Sequence, residues 1–158
     1  MRKSIKILLF FLVFIFLSCK PTTKQMSDAE MKAIKKAIET EVDNLASAMN
    51  LLDVEGILSL FSKSDGTKYI SDGAFIPRDE LRQAIGAFYG SLQKMDFTFE
   101  KKEVSVLSPN VAVVTNWAFY KTVSKEGQAM DEKAIYTSVY VHEAGKWSIF
   151  QAHKSFIE

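Results

Sequence analysis

The chain opens on a basic start, Arg2, Lys3 and Lys6, followed by an unbroken apolar run from Ile7 to Leu17 and the small residue Ser18. As a helix that run would span about 16 Å, roughly half of a bilayer's hydrocarbon core. The pattern therefore predicts a secretion signal that is removed, not a permanent membrane helix. From Ser27 the pattern becomes helical, with apolar residues at Met31, Ile34, Ile38, Val42, Leu45 and Met49 forming one stripe. Ser27-Asp28-Ala29-Glu30 just ahead of it is a capping-box pattern. Asp53 is placed to cap a shorter second helix through Phe61, with Ile57, Leu58, Leu60 and Phe61 on its buried side, and the polar stretch from Ser62 to Thr67 ends it. Asp72-Gly73 between Tyr69-Ile70-Ser71 and Ala74-Phe75-Ile76 predicts a two-residue hairpin. Pro77 fits the first turn of a third helix through Leu81, Ile85, Phe88, Tyr89 and Leu92.

After residue 92 the period changes from helical to alternating. Phe97 to Leu107, Val111 to Val123, Lys133 to Glu143 and Lys146 to Phe156 read as long strands rich in Val, Thr, Tyr, Phe and Trp. Short turns at Ser108-Pro109-Asn110, Lys125-Glu126-Gly127 and Ala144-Gly145 join them, so neighbours must be antiparallel. Helices first and strands second describe an α+β domain, with the long first helix laid across the concave face of a curled four-strand sheet. The polar, aperiodic stretch before Ser27 reads as a tether. The division is a signal segment over 1–18, a cysteine and tether over 19–26, and one domain over 27–158.

Charge narrows the partners. Without residues 1–18 the chain keeps 17 Lys+Arg against 19 Asp+Glu, a net charge of −2, and it has no dense basic stripe. Lys32, Lys35 and Lys36 interleave with Glu30, Glu39 and Glu41 as a solvated helix face, so nucleic acid is not an expected partner. Cys19 is the single cysteine, which rules out a disulfide framework within the chain. The two histidines, His142 and His153, fall on opposite parities of strands paired by a tight turn, and neither a metal site nor a cofactor site is expected. No Gly-rich phosphate loop, nucleophile elbow or Cys-His pair is present in the sequence.

Phe16-Leu17-Ser18-Cys19 resembles the lipobox of bacterial lipoproteins, with Phe16 standing where leucine is more usual. That resemblance implies acylation of Cys19, cleavage before it, and anchoring of an exported protein to the cell envelope by its acyl chains. The order of elements resembles the nuclear transport factor 2-like superfamily. Two strings support this, Tyr69-Ile70-Ser71-Asp72-Gly73 and the segment from Gly145 to Ser155, the second similar to the closing strand of SnoaL-like domains. The resemblance implies a cone-shaped α+β barrel. That fold hosts cyclases, isomerases, dehydratases, ligand carriers and dimerisation modules, so it does not decide the activity.

In a cone the inward polar residues form the expected site. Strict alternation puts Trp147, Ile149, Gln151, His153 and Ser155 on one face of the last strand and Ser148, Phe150, Ala152, Lys154 and Phe156 on the other. Both faces are partly apolar, which predicts that the convex face is covered as well, most simply by a second copy in a homodimer. His153 is the candidate general base, with Asp53, Asp72 or Tyr69 as partners, although turn formation explains Asp72 and helix capping explains Asp53. Trp117, Tyr120, Tyr136 and Tyr140 are the candidate aromatic wall for a ligand, with core or interface as the alternative role. A binding or dimerising envelope domain ranks ahead of a cyclase or isomerase acting through His153. A purely structural partner module comes third.

Overall fold

The computed structural model describes residues 26–157. The signal segment, Cys19 and the tether as far as Gln25 therefore lie outside the described residues. Helix α1 (Asp28–Asn50) starts on the expected capping box: the Ser27 hydroxyl accepts the Glu30 N–H, and the Glu30 carboxylate accepts the Ser27 N–H at 2.8 Å. Its stripe buries Ile38 and Val42 completely and packs chiefly along strand β3 (Leu92–Ser108). Removing each such aliphatic side chain from water contributes about 1.5–3 kcal/mol. Helix α2 (Val54–Leu60) is capped by Asp53, whose Oδ1 accepts the Gly56 N–H at 2.9 Å. A Cβ at Gly56 would lie 2.4 Å from the other oxygen of that carboxylate, so the cap requires glycine there.

Strands β1 (Lys68–Ser71) and β2 (Ala74–Pro77) form the expected hairpin. Asp72 and Gly73 both take left-handed backbone, with φ of 50° and 86°, as a two-residue turn of this hand requires. A 3-10 turn over Arg78–Glu80 leads into α3 (Leu81–Ser91). Strands β4 (Val111–Ser124), β5 (Ala129–Glu143) and β6 (Lys146–Ile157) complete the domain.

Three boundaries differ from the sequence expectation. Pro77 ends β2 instead of opening a helix, because β2 is an edge strand and its last residue owes no N–H to a further neighbour. β3 starts at Leu92 instead of Phe97, since its pairing with β4 runs back to Ser124. β5 starts at Ala129 instead of Lys133, where Ala129 lies opposite Val123.

The sheet also has six strands, in the order β2-β1-β6-β5-β4-β3. The four long strands are antiparallel, as expected, but the hairpin joins them through β1 running parallel to β6, with Lys68 opposite Gln151 and Ser71 opposite Lys154. Parallel neighbours need a long crossover, and the whole chain between them supplies it.

Strand β6 contains a bulge. Val139 lies opposite Gln151 and Tyr140 opposite Ile149, so Phe150 is an extra residue and the side-chain phase inverts there. Trp147 and Ile149 share the concave face with Ala152, Lys154 and Phe156, while His153 turns outward and is exposed. At the far end of the sheet, Asn50 closes the free edge of β3. Its amide accepts the Phe97 N–H at 2.7 Å and donates to the Phe97 carbonyl at 2.9 Å, as a neighbouring strand would. The convex face presents half-buried Val113, Trp117, Phe119, Ile135, Val139 and Val141.

Candidate functional site

The concave face, α1, α2 and α3 enclose a cavity of about 390 Å³. Leu45 and Met49 reach it from α1, Ile57 from α2, and Ile85, Phe88 and Tyr89 from α3. The sheet supplies Tyr69 and Ser71 from β1, Tyr120 from β4, Glu132, Tyr136 and Ser138 from β5, and Ile149, Ala152, Lys154 and Phe156 from β6. Most of this lining is apolar. Its rear is an aromatic cluster around fully buried Phe97, edge-on to Phe99 and Tyr136 with ring centres 4.7 Å and 6.2 Å away, and stacked on Tyr120 at 6.0 Å. Asn50 holds the backbone of Phe97, so the last turn of α1 positions this wall.

The polar groups are unevenly placed. Tyr69 is hydrogen-bonded to Tyr136 and Ser71, and burial pushes its phenol up to about 12 despite those bonds. Burial also raises Tyr89, Tyr120 and Tyr136, reinforced by neighbouring phenols and carboxylates, with Glu132 the leading charge beside Tyr120. These phenols stay protonated through the physiological range, so they can donate hydrogen bonds but cannot accept a proton. Lys154 sits at the edge of the group, its ammonium 3.5 Å from Asp72 Oδ2 and 3.9 Å from the centre of the Phe156 ring. Burial lowers Lys154, and the nearby carboxylates of Asp72 and Glu132 only partly offset this. Burial acts to raise Asp72, but the Ser71 hydroxyl at 2.7 Å, the Lys154 charge and the Phe156 N–H together hold it below the usual carboxylate value.

Of the sequence candidates, Tyr136 lines the cavity, as do Tyr69 and Tyr120. His153, Trp117 and Tyr140 do not. The bulge turns His153 to the convex side, where its ring lies 3.4 Å from the Ser155 hydroxyl. Trp117 lies on that same side beneath the Lys101 ammonium, 4.5 Å from its ring. Tyr140 is concave but packed into the core beyond the cavity, 1% exposed. Asp53 remains the α2 cap and Asp72 the hairpin turn, the latter also pairing with Lys154. His142 packs on Trp147 with ring centres 5.1 Å apart, away from His153. Among the described residues, no three His, Cys, Asp or Glu side chains come together as a metal site. The polar cavity residues that sequence reasoning missed are Lys154, Glu132, Ser71, Ser138 and Tyr89. One signal could have found Lys154: the apolar phase of the last strand slips between Ile149 and Ala152.

The SnoaL-like domain matches residues 38–158. No curated protein matches the sequence. Among solved structures, a nuclear transport factor 2-like superfamily protein from Salmonella enterica is similar at 17% identity and a TM-score of 0.75, over 81% of this chain and 94% of that one. A candidate scytalone dehydratase from Novosphingobium aromaticivorans is similar at 11% identity and 0.76, over 84% and 89%. A hexachlorocyclohexane dehydrochlorinase from Novosphingobium barchaimii is similar at 13% identity and 0.72, over 84% and 92%. At these identities the likeness establishes the cone-shaped fold.

All five tyrosines are raised above the ordinary phenol value, Tyr140 by its burial too. A group raised in the folded state contributes stability that is complete below its unfolded value, near 10, and is lost as pH climbs through the folded values. Alkaline titration should therefore show almost no phenolate absorbance at pH 10–11, then a cooperative rise coincident with loss of circular dichroism. A gradual rise centred near pH 10 in still-folded protein would contradict this account.

Proposed function

Because the chain belongs to the SnoaL-like domain family, a fold built around an interior cavity, we propose that it binds a small apolar or amphipathic molecule there. The supporting observation is the cavity itself, an apolar space of about 390 Å³ with protonated phenols as hydrogen-bond donors. Such a lining rewards burial of an apolar body and orients one polar end. The solved dehydratase-like and dehydrochlorinase structures keep an enzyme as the second reading. Lys154 favours it, as a half-buried amine whose pKa is lowered beside a cavity. Binding ranks first because His153 faces away and the phenols at the cavity hold their protons, which leaves a proton-abstracting role without a histidine or tyrosine to fill it.

Replacing Ala84, a cavity-lining residue of α3, by Trp should fill the space and weaken binding of the neutral dye Nile red by at least about tenfold, the cost of losing one buried contact of about 1.4 kcal/mol. His153→Ala should leave dye binding unchanged. Equal binding by the Ala84→Trp protein would remove the cavity from consideration.

We also propose that the chain is exported and held at the cell envelope by acyl chains on Cys19, on the strength of the basic start, apolar run and Ser18-Cys19 pair. A radiolabelled fatty acid fed to the expressing cells should be incorporated into the protein and not into its Cys19→Ser variant. Equal labelling of both would refute acylation at this residue.

We propose a second copy as the cover of the convex face. The charges bordering that face are already paired, Lys101 with Glu103 and Lys121 with Asp131, so a like surface meets little repulsion across the apolar strip. Sedimentation equilibrium should report a dimer that Trp117→Glu converts to monomer. A wild-type monomer at tens of micromolar would rule the arrangement out.

A further inference from the structure

The class of molecule the cavity accepts follows from the charge balance at one end of it, an inference that rests on the binding reading above. Lys154 is the cation in the cavity lining, with its side chain only 15% exposed. Two carboxylates face it. Asp72 is fixed 3.5 Å away by the Ser71 hydroxyl and the Phe156 N–H, and Glu132, opposite Tyr120 in the β4–β5 ladder, lines the cavity and also acts on Lys154. One positive and two negative charges leave this end formally at −1. A ligand carboxylate approaching Lys154 would have to settle beside both acids in largely apolar surroundings, where screening by water is weak.

An uncharged oxygen meets no such repulsion. Tyr69 and Tyr136 carry two phenolic protons and share one hydrogen bond, so one proton remains for Ser71 or for a ligand. The Lys154 ammonium has three N–H groups, and Asp72 needs only one of them. We propose that the cavity is built for an uncharged amphipathic molecule bearing a hydrogen-bond-accepting oxygen, such as a ketone, aldehyde or ester. Asp72 and Glu132 exclude the matching carboxylate by neutralising Lys154.

The test measures displacement of Nile red from the full chain by a methyl ketone and a carboxylate of equal chain length at neutral pH. The wild-type protein should prefer the ketone by at least about tenfold, the ratio that corresponds to about 1.4 kcal/mol. Asp72→Asn combined with Glu132→Gln leaves Lys154 unopposed and should tighten carboxylate binding until the preference disappears or reverses. Asn suits position 72, since it tolerates the left-handed backbone there and keeps an oxygen for the Phe156 N–H. Each single variant, which should shift the preference part of the way, guards against a double variant that folds poorly. A wild-type protein that binds the carboxylate as tightly as the ketone overturns the charge assignment and leaves the binding reading standing. Failure of both ligands to compete, with the dye still bound, overturns both.

Discussion

One inserted residue, Phe150, governs what this domain can hold. A strand alternates strictly between its two faces, so a single extra residue exchanges them for everything downstream. Ahead of the bulge, Trp147 and Ile149 face the core. Beyond it Ala152, Lys154 and Phe156 do so, and His153 is turned out to the other side. The segment between α2 and β1 accommodates the irregularity, since Ser62 donates its N–H to the Ile149 carbonyl at 2.8 Å just before β1 takes over pairing from Gln151 onward. Without the bulge the His153 imidazole would stand in the cavity. With it, an ammonium paired to a carboxylate stands there instead.

That exchange sets the chemistry available inside. The polar groups of the cavity are protonated phenols, the hydroxyls of Ser71 and Ser138, the Glu132 carboxylate and the Lys154 ammonium paired with Asp72, a set rich in hydrogen-bond donors. Desolvation raises the phenols: each phenolate would have to exist among aromatic and aliphatic side chains, and nearby carboxylates raise the cost further at Tyr69, beside Asp72, and at Tyr120, beside Glu132 and Asp72. The same burial that makes the space attractive to apolar molecules thus keeps its tyrosines acidic only at very alkaline pH. Placement and reactivity share one cause.

Local grammar made most of the fold legible. Ser27 and Glu30, Asp53, and Asp72-Gly73 all perform the capping and turn roles their types and spacing announce, because those interactions close within three or four residues. The helical stripe from Met31 to Met49 and the four long strands were equally readable from their periods. The parallel join of β1 to β6 was not, since it links segments far apart in the chain and leaves no local mark. The site was half legible. Tyr120 and Tyr136 could be picked out as part of an aromatic wall and Tyr69 as a polar partner for His153, whereas Lys154 was hidden by counting parity through the bulge. The mixed polarity of the last strand, read as burial on both sides, is there a slip of phase. On β5, where Ile135, Val139 and Val141 back Tyr136 and Tyr140 in unbroken register, both faces are apolar in fact.

The hairpin's attachment also bears on the order in which the molecule assembles. Asp72 and Phe156, joined at the edge of the cavity where the Phe156 N–H donates to the Asp72 carboxylate, are 84 residues apart in sequence. Closing so wide a loop carries an entropic cost that local helices and adjacent hairpins do not face. During synthesis the long helix and the first strands of the meander can form while the final strand is still being made, but Ser71 and Lys154 become neighbours only after it emerges. The chamber is thus a late product of folding, and a chain truncated short of its last dozen residues would have walls without a chamber.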